Sequence, residues 1–374
     1  MDEITNLLAV NTQSGIPLIQ QLKSQFTWLI VTGKLATGDR LPSVRTLADH
    51  LSININTVRS AYQRLESDNL VATHHGTGTI VLPMNISSIA NKANRSRSNI
   101  IGVILPGLSD PFYHSLLQGI EEVNTHNQTM MLVCDAHEDP AEAYRIYTKL
   151  VAKQVDGIIC ASLPLGEFIS KNWHNTNLFP LISVDWPDDQ VNTVQIDLEN
   201  AAYQAVRHLI GHGYKQIALV TLDVERANTL PLWQGYKHAL MEAGMKSTAE
   251  LITRVPGFSM EDGEIGALRI LNQPLKPDAV IAISDFLALG IIKEFKSRGF
   301  RLPEDFAVIG MDDINLAGVV EPRLTTVSFP AKRLGAEAMK MLQNLIEGKK
   351  PDKDKVVLST RLVIRDSCGC QTAR

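Results

Sequence analysis

Cysteine is scarce: Cys134, Cys160, Cys368 and Cys370 are the only four in 374 residues. That is too few for a disulfide framework, and no C-x2-C pair hints at a zinc ribbon, so free thiols and no metal site are expected. No apolar run approaches the ~20 residues that span a bilayer, and the start MDEITNLLAV has neither the basic n-region nor the cleavage site of a signal peptide. The expectation is a cytoplasmic chain with no membrane partner. Walker A, G-x-S-x-G and H-E-x-x-H patterns are missing too, which removes the common signatures of nucleotide binding, acyl transfer and zinc proteolysis.

The length is enough for two or three domains, each with its own core. The net charge of −4 hides an asymmetry: residues 1–99 carry 9 Lys/Arg against 6 Asp/Glu, the remainder 27 against 34. A mildly basic head on an acidic body points to a polyanion partner for the head. Between them runs PMNISSIANKANRSRSN, polar and without apolar periodicity, which reads as a linker. The expected divisions are a head over 1–82, a linker over 83–99, a body over 100–366 and a tail over 367–374.

In the head, Leu18, Leu22, Phe26, Leu29 and Ile30 form one apolar helical stripe that stops near Gly33. Pro42 is expected in the first turn of a second helix through SVRTLADHL, with Ser43 for capping. A third helix opens at Asn54, with Asn54, Asn56 and Thr57 as candidate caps and Val58, Tyr62 and Leu65 inward. LVAT and TIVL then flank His74-His75-Gly76-Thr77-Gly78, a glycine-containing hairpin tip. Three helices and a hairpin make a winged helix-turn-helix. Adjacent His74 and His75 point apart in a hairpin and are not expected to hold a metal.

The segments GKLATGDRLPSVRTLA, NTVRSAYQRLE and HGTGTIV, in this order and spacing, resemble the DNA-binding domain of GntR-type regulators. The resemblance implies double-stranded operator DNA as partner and contacts from Arg45, Asn54, Asn56, Thr57, Arg59, His75 and Gly76. Independent chemistry agrees: a recognition helix offers its first residues to base edges, Asn and Arg make bidentate contacts to adenine and guanine, and glycine lets a wing approach the duplex. Ile55 stands where the family often has arginine, so guanine readout from that position is absent.

The body alternates apolar runs at 100–106, 130–135, 157–161, 181–185, 216–222, 279–284 and 306–312 with helical stretches such as HSLLQGIEEVN and AAYQAVRHLIGHG. Alternating units with nearly continuous apolar strands specify α/β architecture, parallel sheets covered by helices, and about 270 residues suit two lobes. The strings NIIGVILPGLSDPFYHSLLQGIEEV, VDGIICAS, SDFLALGIIKEF and FAVIGMDDINLA resemble the effector domain of LacI/GalR regulators, similar to type I periplasmic-binding-protein-like folds. Head and body together are similar to the arabinose-repressor group of Bacillus regulators.

That resemblance implies a homodimer and three crossings between lobes, expected near 185–193, 311–315 and 348–357. It also places a small sugar-like effector at the strand ends, against Phe112, Tyr113, Ser162, Asp185, Trp186, Phe258 and Asp285. Carboxylates accept hydroxyl protons and ring faces pack on sugar C–H surfaces. Alternatives are interlobe packing for Trp186 and Phe258, and a helix N-cap for Asp285. Leu232 replaces an arginine common in the family, so Arg226 is the candidate replacement or the ligand is less polar than a free sugar. Asp312-Asp313 reads as turn chemistry and Cys368-Gly369-Cys370 as solvated thiols in a tail. The functional expectation is a ligand-controlled transcriptional regulator, a repressor, with no cofactor and no catalysis. The competing reading, a GntR-headed pyridoxal-phosphate aminotransferase, needs an aldimine lysine context and a longer chain.

Overall fold

A computed structural model of the chain describes residues 8, 10, 17–31, 35–74, 78–82, 97–125, 129–165, 180–188, 191–222 and 229–370. The head consists of helices α1 (Leu18–Val31), α2 (Val44–Leu51) and α3 (Ile55–Ser67) followed by strands β1 (Val71–His74) and β2 (Gly78–Val81). The stripe on α1 is buried at Leu22, Phe26, Leu29 and Ile30, against Val58, Tyr62 and Leu65 of α3. Burying such side chains contributes ~1.5 to 3 kcal/mol each. Tyr62 also donates its hydroxyl to the Pro42 carbonyl at 2.8 Å and sets its ring edge-on to Phe26, 5.3 Å away. The strands pair antiparallel from Val71↔Val81 to His74↔Gly78, forming the wing. One local expectation is corrected: Ser43 is the N-cap of α2, accepting from the Thr46 amide, so Pro42 stands before the helix and not in its first turn.

The body holds two six-stranded sheets. The first combines β3 (Ile100–Leu105), β4 (Met130–Asp135), β5 (Gly157–Ala161), β6 (Leu181–Val184), β7 (Asn192–Ile196) and β13 (Lys355–Leu358), in the order β13-β7-β6-β5-β3-β4, all parallel. The second combines β8 (Ile217–Thr221), β9 (Ile252–Arg254), β10 (Ala279–Ala282), β11 (Ala307–Asp312), β12 (Thr325–Ser328) and β14 (Arg361–Val363), in the order β14-β12-β11-β10-β8-β9. Only β14 runs antiparallel. Helices α4 (Pro111–Asn124), α5 (Pro140–Ala152) and α10 (Ala331–Ile346) belong to the first lobe. Helices α6 (Leu198–Gly211), α7 (Leu230–Glu242), α8 (Met260–Asn272) and α9 (Asp285–Ser297) belong to the second.

Each of the seven apolar runs is a strand: six are buried along nearly their whole length, as strands covered on both faces require, whereas β4, at the sheet edge, leaves Met130 and Val133 exposed. The strands that the pattern left unread are polar or short. In β12, Thr325 and Thr326 are fully buried yet hydroxylated, their side chains bonded inside the lobe.

Those unread strands explain the displacement of all three crossings. The chain leaves the first sheet only after β7, at Asp197, and returns only after β12, at Phe329-Pro330. It crosses finally after β13, at Ser359-Thr360. Gln204 of α6 spans the last of these, donating to Thr360 Oγ1 at 2.7 Å and accepting from the Leu362 amide at 2.9 Å. In the first lobe α4 and α10 pack so closely that a Cβ at Gly119 would collide with the Lys332 carbonyl and one at Gly335 with that of Leu116. The expected solvated tail is also corrected: Ser367 and Cys368 are fully buried, with Ser367 Oγ donating to the Val308 carbonyl.

Candidate functional site

The turn between α2 and α3 is set by Ser52, held left-handed at φ 52°, and by Asn54, whose Oδ1 accepts from the Asn56 amide at 2.8 Å. Asn54 is therefore the N-cap of α3, its side chain exposed at the start of the helix. Asn56 and Arg59 lie one turn apart on the exposed side of α3, the Arg59 guanidinium donating to Asn56 Oδ1 at 2.8 Å. Each thus orients the other. Arg45 is exposed on α2, and Thr57 is half-buried in the first turn of α3. Ile55 packs partly against the head's core. His75 and Gly76 lie outside the described residues.

Between the lobes lies a cavity of about 830 Å³. Phe112 and Tyr113 at the start of α4 line it, with Ser162 after β5, Asp185 and Trp186 after β6, and Phe258 before α8. Six of the expected ligand residues are thus brought together. Phe112 packs edge-on against Phe329 at the second crossing, 6.5 Å between ring centres. Trp186 is buried, and its Nε1–H has no hydrogen-bond partner among the described residues. A buried donor without an acceptor costs ~1 to 3 kcal/mol.

Three carboxylates face this space at strand ends. Asp110 caps α4 by accepting from the Phe112 amide at 2.9 Å, and burial pushes its pKa up. Asp185 is pushed up to about 7 by burial, with the Ser162 hydroxyl, 3.5 Å away, opposing the shift. Asp312 is driven well above the ordinary range by burial, reinforced by the charges of Asp110, Asp285 and Asp185. Tyr113 shares a hydrogen bond with Ser162, and burial holds its hydroxyl protonated. Burial thus favours the protonated form of these three groups, in which a carboxyl both donates and accepts, beside hydroxyls. Ser162, Asp185 and Asp312 are non-glycine residues with positive φ, at 53°, 51° and 114°, a strain that gathers at functional sites.

Asp285 is a correction. It does not line the cavity: it is fully buried at the start of α9, accepting from Thr326 Oγ1 at 2.6 Å and from the Ile314 amide at 2.9 Å. The N-cap there is Ser284, so Asp285 instead ties α9 to β12 and to the loop after β11. Asp312 and Asp313 also part company. Asp313 is the turn residue, paired with Arg365 at 2.6 Å, whereas Asp312 lines the cleft. Sequence reasoning missed Asp312, Phe286 and Phe329; each directly follows, or ends, a strand or its cap, which was the available signal. Leu232 lines the wall, and Arg226 lies outside the described residues.

Residues 18–81 match the family model described as bacterial regulatory proteins of the gntR family, and residues 206–368 that of the periplasmic binding protein-like domain. The chain is 33% identical over 279 residues to the HTH-type transcriptional regulator DegA of Bacillus subtilis, covering 72% of this chain and 81% of that protein. It is 31% identical to the HTH-type transcriptional repressor CytR of Escherichia coli, covering 75% and 82%. The chain belongs to the LacI-type transcriptional regulators. Its body superposes on the transcription regulator CcpA of Lactococcus lactis with a TM-score of 0.66 at 27% identity, over 72% of this chain and 99% of that one. This LacI-type regulator carries a GntR-type head, and it is a DNA-binding protein that controls transcription. Among its described residues no helix is long and apolar enough to cross a membrane.

Proposed function

We propose that this regulator is a homodimeric, non-catalytic repressor of the bacterial cytoplasm whose hold on palindromic operator DNA is set by an uncharged polyhydroxylated molecule, a sugar or sugar derivative, in the interlobe cavity. The observation that carries this reading is the wall chemistry: Asp110, Asp185 and Asp312 beside aromatic side chains from Phe112, Tyr113, Trp186 and Phe258. Ligand hydroxyls pair with the carboxyl groups, and C–H surfaces lie on the rings. Among the described lining residues there is no lysine, arginine or histidine, whereas Glu138, Glu261 and Asp262 line the wall beside the three aspartates, so a phosphorylated ligand would meet acidic side chains and no cation among them. The absence of lysine from those residues also leaves an aldimine-forming enzyme without its attachment point there.

On this reading residues 1–82 grip DNA through Arg45, Asn56, Thr57 and Arg59, with His75 and Gly76 at the wing tip assigned by resemblance. Asn54 shapes the recognition helix. Residues 83–99 join head to body, Arg226 supplies a cation near Leu232, and the body runs on to residue 370 because Cys368 belongs to its core. Ligand closes the lobes across the three crossings and resets the two heads, so operator and effector affinities are reciprocally coupled. Calorimetry with a panel of sugars, followed by operator mobility shifts with each binder, tests the scheme. A binder that alters operator affinity is expected; an effector that is purely apolar would overturn the reading.

A further inference from the structure

At the far end of α6 from the cleft, four ligand-type side chains meet. His208 and His212 sit one turn apart, on one face of the helix. Cys370 Sγ lies 3.3 Å from His208 Nε2 and 2.9 Å from His212 Nε2, and Cys368 Sγ lies 3.3 Å from His208 Nε2. We propose that His208, His212, Cys368 and Cys370 form a closed Cys2His2 site for one zinc ion, which clips the last turn of the body onto α6.

The geometry fits that ion. With Zn–S of about 2.3 Å and Zn–N of about 2.05 Å, a tetrahedron sets sulfur and nitrogen about 3.5 Å apart; the donor atoms of His208, His212 and Cys370 already lie within 4.8 Å of one another, and Cys368, 3.3 Å from His208, must turn toward the other two to complete the set. Two thiolates with two imidazoles are a borderline-soft donor set that favours zinc over magnesium, calcium or manganese. Four protein ligands leave no open position, so the role is structural rather than hydrolytic.

The surroundings are built for it as well. Gly369, between the two cysteines, adopts φ 80°, and a Cβ there would run into Tyr214 Oη; glycine alone lets the chain turn both sulfurs toward α6. Thr325 Oγ1 donates to Cys368 Sγ at 3.1 Å, the kind of outer contact that supports a thiolate ligand. His212 is also the C-cap of α6, where exposed carbonyls give the helix end a partial negative charge that favours a dication. The other end of α6, at Leu198, lines the cleft. At 1.5 Å per residue the two sites stand ~15 to 20 Å apart, so the metal acts on the fold and does not meet the effector. The C-x-C spacing explains why the pair was read as free thiols: its partners lie about 160 residues away.

The test uses the full chain, without a histidine tag, purified in reducing buffer free of chelators. Elemental analysis should find about one zinc per chain. The metal-free chain should take up cobalt with thiolate charge-transfer bands and the intense visible bands of a tetrahedral ion. His212→Ala and Cys370→Ser, both on the outer side of the cluster, should lose zinc and those bands, and His212→Cys should restore them. Chelation should lower the melting temperature of the parent and leave that of His212→Ala unmoved. The proposal is overturned by a parent that takes up neither zinc nor cobalt, by variants that hold as much zinc as the parent, or by a parent whose Cys368 and Cys370 are joined to each other in reducing buffer.

Discussion

Replacing Asp285 by alanine separates a binding role from a structural one. Its carboxylate receives two buried donors, the Thr326 hydroxyl and the Ile314 amide, and alanine orphans both. At ~1 to 3 kcal/mol for each donor, the loss is ~2 to 5 kcal/mol once partial relaxation is allowed. An opposing term depends on pH. Burial first, then the like charge of Asp313, raises the Asp285 pKa to about 7 against hydrogen bonds from Thr326 and Ile314. A carboxyl whose folded pKa is raised binds its proton more tightly in the folded state. Its stabilisation is complete below the unfolded pKa of about 4 and is lost as pH rises toward 7. Alanine removes that loss, so Asp285→Ala should cost the full amount at about pH 5 and distinctly less at about pH 8. Asp185, also at about 7, titrates in parent and variant alike and cancels. Urea unfolding followed by intrinsic fluorescence at the two pH values measures the difference. The reasoning is refuted if the variant is as stable as the parent while effector affinity falls 10- to 100-fold, for then the carboxylate contacts the ligand directly.

Arg59→Ala and Asn56→Ala should each weaken operator binding by ~1 to 3 kcal/mol, and the double variant by less than the sum, because the pair orient each other; mobility-shift titrations close the cycle. Asn54→Ala should lower head stability by ~0.5 to 2 kcal/mol and Asn54→Asp should recover most of it, read by thermal melting, since the residue is a cap. Gly310→Ala drives a methyl into the Asp285 carboxylate and should destabilise the second lobe by ~1 to 3 kcal/mol, again by urea unfolding.

What the sequence made legible was local. The α1 stripe, the Asn54 cap and the seven apolar strands depend on residues within a turn or a strand of one another, and periodicity reports them. Six cleft residues were legible because ligands gather where parallel strands end. Asp285 was misread because an acid after a strand can face the cleft or turn inward. The deciding partner, Thr326, is 41 residues away. The crossings were misplaced because β7, β12 and β13 carry Asn, Gln, Thr, Ser or Lys among their apolar residues, and only their sheet neighbours reveal them as strands. The meeting of His208 with Cys370 is longer in range still.

The three crossings have a consequence for how the protein is made. Neither lobe is one continuous stretch: the first sheet waits for β13 at 355–358, and the second for β14 at 361–363 and the buried Ser367 and Cys368. During synthesis the head is complete once residue 81 has been added, whereas both lobes stay open until residues 355–368 have followed. A chain cut short between residues 82 and 355 therefore keeps a finished DNA-binding head on a body with two unfinished sheets. Such a fragment can still visit operators but has lost the closed cleft that would tell it when to let go.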